Sequence, residues 1–182
     1  VLGSRGLGDV YKRQVGGAVC MNAGAYGGEM KQVAVRTEYL DAAGNLRCLD
    51  GAEQEFSYRR SAITGSTHVI VAGTFALTPD AESKIRETMQ ELMARRKASQ
   101  PLELPSAGST FKRPVGGYAA ALIEQAGLKG VQIGGAAVSS KHTGFVVNLG
   151  GATEADVLAL IAYIQKRVLE TSGIALETEV IR

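Results

Sequence analysis

The stretch GATEADVLALIAYIQKRVLETSG, residues 151–173, decides the fold class of this chain. Thr153 suits the N-cap of a helix, and Gly173 is typical of the residue that ends one. Between them, apolar residues at helical spacing predict one buried face, made of Val157, Leu160, Ile161, Ile164 and Val168. The stretches GFVVN, residues 144–148, and IALETEVIR, residues 174–182, are predicted strands on either side of this helix. Strands and helices in this arrangement indicate an α+β fold.

A hairpin and a further strand are predicted earlier in the chain. The alternation in VAVRTEYLD, residues 33–41, predicts a strand with four side chains on one face, those of Val33, Val35, Thr37 and Tyr39. Gly44-Asn45 would turn the chain into a second strand, LRCLD, residues 46–50, which completes the hairpin. The apolar run VIVAGTFAL, residues 69–77, predicts a buried strand, although a short helix would share this composition.

A second long helix is predicted after this run. Thr78 can cap the helix and Pro79 suits its first turn. Its apolar stripe recurs at helical spacing in Ile85, Met89, Leu92 and Met93. The basic residues 95–97 complement the dipole of its C-terminal end, and Gln100-Pro101 ends it.

The break after this helix predicts a seam near residues 98–101. Beyond the seam we expect a loop, PSAGSTFKRP, residues 105–114, and then a short helix that carries Leu122 and Ile123 and ends at Gly127. Each side of the seam would contain a few strands and one or two helices.

Composition limits the function classes. The 182 residues are 45% hydrophobic and 21% charged, which is ordinary for a globular protein. Lys and Arg total 20 against 18 Asp and Glu, with no long basic run, so neither nucleic acid nor a membrane is an expected partner. Cys20 and Cys48 form no C-x-x-C pair, which disfavours a metal site and a disulfide framework. With no membrane-length apolar run and no secretory signal, a cytoplasmic location is expected.

The first 14 residues, VLGSRGLGDVYKRQ, differ in character from the rest of the chain. They lack helical or strand periodicity and run abruptly into a segment rich in glycine and alanine. GDVYKRQ is also the peptide that one reading frame of a transposon-end adapter used in DNA library preparation would encode. We expect residues 1–14 to be a foreign tail, with a disordered natural terminus as the alternative.

Small residues dominate GGAVCMNAGAYGGE, residues 16–29. Glycine and alanine let the backbone approach a ligand closely, and glycine tolerates positive φ. The pattern is neither G-x-G-x-x-G nor a P-loop. Composition alone leaves two alternatives, a tight structural turn, which is the commoner case, and a cofactor cradle.

Four other residues could carry chemistry. Arg59, in the hexapeptide FSYRRS, could bind a carboxylate through two parallel hydrogen bonds, although a solvated surface arginine is more frequent. Ser109 lies in the predicted loop, where a lone serine is usually a turn residue. Glu179 would ordinarily be an exposed carboxylate at a strand edge. His142 precedes a predicted strand and could face a pocket.

From Val15 onward the chain resembles the UDP-N-acetylenolpyruvoylglucosamine reductases, flavoenzymes of bacterial peptidoglycan synthesis. The matching stretches, in order, are VGGAVCMNAGAYGGE, FSYRRS, QPLELPSAGSTFKRP, LIEQAGLKGVQIGGAAVSSKHTGFVVN and LETEV. The short path from Arg59 to Val69 resembles the branch that lacks a tyrosine-bearing insertion. The ending departs from the family pattern, with Thr178 in place of a proline, but Glu179 still falls on the second glutamate of the motif.

The resemblance implies that NADPH reduces FAD, which then reduces UDP-N-acetylglucosamine enolpyruvate to UDP-N-acetylmuramate. By motif match, Ser109 donates the proton, while Arg59 and Glu179 attend the substrate carboxylate and the enolic intermediate. The residues implied to line the flavin are Gly16, Gly17, Asn22, Gly24, Tyr26 and Gly27. The residues implied to bind substrate are Tyr58, Arg113 and His142, the last two at the uridine diphosphate end.

The same resemblance implies different roles for two regions of the chain. Residues 15–99 would be the C-terminal part of the FAD-binding region, and residues 100–182 a smaller substrate-binding domain. The family's N-terminal flavin domain has no counterpart here, so we expect this chain to be inactive alone. We also expect the complete protein to be a monomer. Two alternatives remain, a non-catalytic nucleotide-sugar-binding fragment and another FAD-linked oxidoreductase of related fold.

Overall fold

The computed structural model describes residues 14–180, and its contacts divide the chain into two compact units between Thr88 and Met89. We call these unit 1 and unit 2. The predicted foreign tail lies outside the described residues except for Gln14. No helix within the described range is long and apolar enough to cross a membrane.

Unit 1 contains a short helix, a small hairpin and a three-stranded sheet. Its elements are helix α1 (Val15–Cys20), strands β1 (Gly24–Ala25) and β2 (Gly28–Glu29), a 3-10 turn (Met30–Gln32), strands β3 (Ala34–Leu40) and β4 (Leu46–Asp50), a second 3-10 turn (Gly51–Gln54) and strand β5 (Val69–Phe75). The sheet order is β4-β3-β5, with both pairs antiparallel. The predicted hairpin of residues 33–50 is confirmed, with Thr37 opposite Leu49.

Two predictions about this sheet are wrong, one about a shared strand face and one about burial. A register irregularity between Ala34 and Arg36 interrupts the alternation of β3, so Val35 is exposed, whereas Ala34 and Thr37 are buried. A β-bulge of this kind adds one residue to a strand and shifts the following side chains to the other face. The run from Val69 does form a strand, but Val69 and Val71 are at least half exposed, so it is not a buried strand in this structure.

The second predicted helix exists but begins later than expected. Helix α2 spans Glu82–Ser99, so Thr78 and Pro79 lie before its first turn. The N–H of Ile85 donates to the carbonyl of Ala81 over 3.0 Å, which marks where helical hydrogen bonding starts. The apolar stripe is largely exposed, and the helix has no buried residue.

Unit 2 packs a four-stranded antiparallel sheet against one long helix. Its elements after α2 are β6 (Ser106–Ser109), α3 (Ala119–Gln125), β7 (Gln132–Ile133), β8 (Ala136–Val138), β9 (Phe145–Asn148) and α4 (Glu154–Ser172). The sheet order is β6-β9-β8-β7. One face of α4 is buried against the sheet through Leu160, Ile164 and Val168, as its periodicity predicts.

The ends of α4 also confirm their prediction. The hydroxyl of Thr153 accepts a hydrogen bond from the N–H of Asp156, and the Asp156 carboxylate accepts one from the N–H of Thr153. This reciprocal pair is a capping box. Gly173 ends the helix in the left-handed conformation, with φ of 71°. The α+β fold class is therefore confirmed.

Other predictions in unit 2 fail at its strands. The expected loop of residues 105–114 contains β6, and no sequence pattern indicated β7 or β8. The expected strand of residues 174–182 is absent over the described part of that range, where Thr178 forms a single bridge with Phe111. The segment is held by two backbone hydrogen bonds of 2.9 Å, from the N–H of Lys112 to the carbonyl of Glu177 and from the N–H of Glu179 to the carbonyl of Thr110.

Candidate functional site

A small cleft in unit 1 collects much of the glycine-rich segment. Its volume is about 200 Å³, and its lining residues are Asn22, Gly24, Ala25, Gly27, Gly28, Glu29, Tyr58 and Arg59. The β1–β2 hairpin forms one wall, and its turn at Tyr26-Gly27 has positive φ at both residues, 53° and 83°. Such two-residue turns match the twist of the strands they join, so the segment is a tight turn as well as a cleft wall.

Two glycines explain why small residues occupy this wall. A Cβ added at Gly24 would lie 2.8 Å from the carbonyl oxygen of Gly28, which is too close, so the hairpin requires glycine there. A Cβ added at Gly27 would meet nothing within 4 Å, but the φ of 83° disfavours any other residue. The wall facing the cleft is consequently mostly backbone.

Arg59 is presented to the cleft by a strained turn. Ser57 and Arg60 exchange two backbone hydrogen bonds, of 3.0 and 3.2 Å, around Tyr58 and Arg59. Arg59 has a φ of 56°, a left-handed conformation that costs a residue with a Cβ about 1–3 kcal/mol. Its guanidinium carbon lies 5.2 Å from the centroid of the Tyr58 ring, within cation–π range.

Asn22 connects the hairpin to this turn. Its side chain is 2% exposed, and its Nδ2 donates both to Oε2 of Glu29 (2.9 Å) and to the carbonyl of Ser57 (3.0 Å). Its Oδ1 accepts from the N–H of Lys31 over 3.0 Å. Both amide protons of Asn22 are therefore engaged within the protein.

Glu29 supplies negative charge beside Arg59. The hydrogen bonds from Lys31 and Asn22 hold the pKa of its carboxyl below the ordinary 4.5, and the positive charges of Lys31 and Arg59 add to this effect. The Lys31 ammonium lies 3.0 Å from Oε2 of Glu29. Glu29 is thus an ionised member of the cleft at neutral pH.

Some residues predicted to line the flavin lie elsewhere in unit 1. Gly16 and Gly17 are in helix α1, outside the cleft, and Gly17 is buried. A Cβ at Gly16 would make only ordinary contact with Ile70, at 3.6 Å. Tyr26 occupies the hairpin tip and is 45% exposed. The cleft itself brings together Arg59 with the predicted positions Asn22, Gly24, Gly27 and Tyr58.

In unit 2, backbone pairing brings Ser109 near Glu179. The N–H of Glu179 donates to the carbonyl of Thr110 over 2.9 Å, so Glu179 lies beside the residue that follows Ser109. Ser109 ends β6 opposite Phe145, after a register irregularity between Ser106 and Ser109, a stretch in which Gly108 has a φ of 86°. Within residues 14–180, the Ser109 hydroxyl makes no hydrogen bond and is half-buried.

His142 borders the same strand end. Its ring packs edge-on against Phe145, with centroids 5.0 Å apart, and Phe145 is the residue paired with Ser109. The N–H of Gly144 donates to Nδ1 of His142 over 3.2 Å. Arg113 is exposed, with its guanidinium carbon 4.1 Å above the Tyr118 ring.

Sequence reasoning missed Glu29 as a site residue. The available signal was its place seven residues after Asn22, directly after the glycine pair of the hairpin. That spacing becomes informative only once the turn at Tyr26-Gly27 is known, because the turn folds Glu29 back onto Asn22. Among the described residues, no group of three or more His, Cys, Asp or Glu side chains could hold a metal ion.

Comparison with known proteins agrees with this fold. A family model described as UDP-N-acetylenolpyruvoylglucosamine reductase, C-terminal domain, matches residues 100–182. A crystal structure of UDP-N-acetylenolpyruvylglucosamine reductase from Thermus caldophilus matches with a TM-score of 0.78 and 35% identity, over 97% of this chain and 64% of that one. Fold and sequence together define this chain as α+β, with a reductase-type C-terminal domain.

Two relatives match most of the chain at higher sequence identity. The UDP-N-acetylenolpyruvoylglucosamine reductase of Levilactobacillus brevis is 54% identical over 166 residues, and that of Caldanaerobacter subterraneus subsp. tengcongensis is 51% identical. Each match covers 91% of this chain and 55% of the relative. The chain belongs to the UDP-N-acetylenolpyruvoylglucosamine reductase family, and it spans about half the length of these relatives.

Proposed function

We propose that the protein containing this chain reduces UDP-N-acetylglucosamine enolpyruvate to UDP-N-acetylmuramate, with NADPH and FAD. The observation that carries the proposal is the cleft of unit 1, where a glycine-lined wall faces an arginine on a strained turn. Strain of this kind persists where the surrounding structure fixes a functional side chain. The relatives named as UDP-N-acetylenolpyruvoylglucosamine reductases support this choice of substrate.

The cleft residues fit part of a flavin site. A wall of glycine backbone lets a flat ring approach closely, and the side-chain-free position at Gly27 leaves open space in front of it. Gly24, Gly27 and Tyr26 would contact the ring, while Gly16 and Gly17 would support the wall from helix α1. Asn22 would shape the cleft, because its amide protons already bind Glu29 and Ser57. FAD, when bound, supplies hydride transfer from NADPH to the substrate.

Arg59 has the chemistry needed at the substrate carboxylate. Its guanidinium can donate two parallel hydrogen bonds to a carboxylate, and its charge stabilises the enolic intermediate, in which negative charge builds up. Because the backbone turn already fixes Arg59, little reorganisation is needed during the reaction. Tyr58 would bind the substrate beside it.

Ser109 and Glu179 would complete the proton transfer. We assign Ser109 as the proton donor to the carbon adjacent to the substrate carboxylate. We assign Glu179 as the residue that interacts with the enolic intermediate. A serine hydroxyl is a weak acid, so this role demands accurate placement. Ser109 lies at the end of β6, paired with Phe145 of β9. The His142 ring packs against Phe145 of β9. His142 and Arg113 would bind the uridine diphosphate end of the substrate. A cytoplasmic, monomeric complete enzyme remains part of the proposal.

A hybrid enzyme tests the proposal. Residues 15–182 would replace the matching part of the Levilactobacillus brevis reductase, and we refer to the product as the hybrid reductase. Flavin absorbance near about 450 nm and substrate-dependent NADPH oxidation are the measurements. We expect the hybrid reductase to retain FAD and turn over, and the 182-residue chain alone to do neither.

Two outcomes would contradict the proposal. One is a hybrid reductase that melts cooperatively and binds FAD but oxidises no NADPH when substrate is added. That result would favour a nucleotide-sugar-binding role without catalysis. The other is full activity after Arg59→Lys, which keeps the charge but removes the planar fork.

A further inference from the structure

We propose that Asn22 is a positioning residue that fixes Arg59 for the reaction. This inference rests on the proposed function, in which Arg59 acts on the substrate carboxylate. Asn22 is buried, and its Nδ2 donates to the carbonyl of Ser57, the first residue of the turn that presents Arg59. The side chain reaches this carbonyl across 35 positions of sequence, so the contact belongs to the folded unit.

The Ser57 carbonyl is the point at which Asn22 controls the turn. That oxygen accepts two hydrogen bonds, one from the N–H of Arg60 (3.2 Å) and one from Nδ2 of Asn22 (3.0 Å). The first closes the turn, and the second ties the turn to the hairpin wall. A left-handed arginine tends to relax unless such bonds hold its turn. Losing the second bond therefore loosens the turn that carries Arg59.

The second Asn22 bond holds the counter-charge in the same place. Nδ2 of Asn22 also donates to Oε2 of Glu29, whose carboxylate is close enough to Arg59 for its pKa to respond to the arginine charge. One amide group thus fixes both the turn that carries the cation and the carboxylate beside it. Asn22 itself has a φ of 46°, which asparagine tolerates better than most residues.

Asn22→Asp in the hybrid reductase removes both donated hydrogen bonds and adds a charge that repels Glu29. Aspartate keeps the acceptor for the N–H of Lys31 and still tolerates the left-handed backbone, but it cannot donate to Ser57 or Glu29. We expect kcat to fall by about tenfold to a hundredfold, the scale of a misplaced reacting group. A swap variant, Asn22→Asp with Glu29→Gln, should regain thermal stability by restoring a bond between positions 22 and 29 while kcat stays low.

Two controls separate positioning from general destabilisation. Thr37→Val removes a buried hydrogen bond to Gln54, of 2.6 Å, elsewhere in unit 1, and should lower the melting temperature while kcat stays within about twofold. In an Arg59→Lys background, Asn22→Asp should change kcat by no more than about twofold, because the residue it positions is already impaired.

The outcomes distinguish this inference from the proposed function. A slow Arg59→Lys enzyme with a normal Asn22→Asp enzyme would overturn the inference alone. Full additivity of the two substitutions would overturn it as well, because Asn22 would then act independently of Arg59. A normal Arg59→Lys enzyme would overturn both. If Asn22→Asp fails to fold, the swap variant carries the same comparison, and a normal kcat in that variant would contradict the inference.

Discussion

Unit 1 and unit 2 are each stabilised internally by a different kind of interaction. In unit 2, helix α4 and the sheet share a continuous apolar core that includes Leu160, Ile164 and Val168. In unit 1, the buried apolar residues are fewer, namely Val19, Met21, Ala34 and Ile63 among those described, and the buried polar residues are Asn22, Thr37, Gln54 and Ser61. Apolar packing tolerates small shifts, whereas hydrogen bonds fix geometry. The candidate cleft lies in the unit whose geometry is fixed by hydrogen bonds.

The largest effect should come from the apolar core of unit 2. Leu160→Ala deletes a side chain with no exposure, and such deletions cost about 2–5 kcal/mol because a cavity remains. Val71→Ala, at a half-exposed position of unit 1, is the matched control and should change the free energy of unfolding by less than about 0.5 kcal/mol. Urea unfolding followed by circular dichroism would compare them, and equal losses would contradict the contrast between the units.

A buried polar pair should be the corresponding weak point of unit 1. Nε2 of Gln54 donates to the carbonyl of Ala34 (3.1 Å), and the Thr37 hydroxyl donates to Oε1 of Gln54 (2.6 Å). Gln54→Ala leaves both partners unpaired and should cost about 1–3 kcal/mol. Hydrogen exchange should show weaker protection in β3 and unchanged protection in β9. Equal loss in both strands would mean that the units do not respond separately.

A smaller effect is expected at the N-terminus of helix α4. Thr153→Ala removes the capping hydroxyl and should cost about 1 kcal/mol, whereas Thr153→Ser keeps the hydroxyl and should cost much less. Melting temperatures of the two variants give the comparison. If Thr153→Ser is as damaging as Thr153→Ala, the hydroxyl is not the source of the stabilisation.

The smallest effect should be a pH dependence in the hairpin of unit 1. The N–H of Asn45 and the side chain of Arg47 donate to Asp41 and lower the pKa of its carboxyl to about 2. Because the folded pKa lies below the ordinary 3.8, the carboxylate stabilises the fold above pH 3.8, and this contribution is lost as pH falls from 3.8 to about 2. Asp41→Asn should flatten the melting temperature over that range. An unchanged slope would assign the acid sensitivity to other carboxyls.

Local signals predicted much of this fold. Periodicity and caps located helix α4, and Gly44-Asn45 located the β3–β4 turn, because both depend on neighbouring residues. The pairing of segments that are distant in the sequence was harder to predict. The sequence did not indicate strand β6, because it contains Gly108, which is in the left-handed conformation. The segment around Thr178 has a strand-like pattern but forms only one bridge.

The candidate site also has features that the sequence predicted and features that it did not. Arg59 could be proposed from its motif, but its left-handed φ and its link to Asn22 could not, because that contact joins positions 35 residues apart. Glu29 was missed for a related reason, since its role depends on a hydrogen bond that the hairpin turn creates. Residue type therefore predicted which side chains could react, and the fold supplied the contacts that hold them.

The half-reactions of a Ser109→Ala hybrid reductase test the proposed mechanism most directly. Stopped-flow absorbance can follow flavin reduction by NADPH separately from reoxidation by the enolpyruvyl substrate. We expect normal reduction and a reoxidation slowed by about a hundredfold or more, the scale for a positioned general acid. Equal slowing of both half-reactions would contradict the mechanism and leave Ser109 with a structural role only.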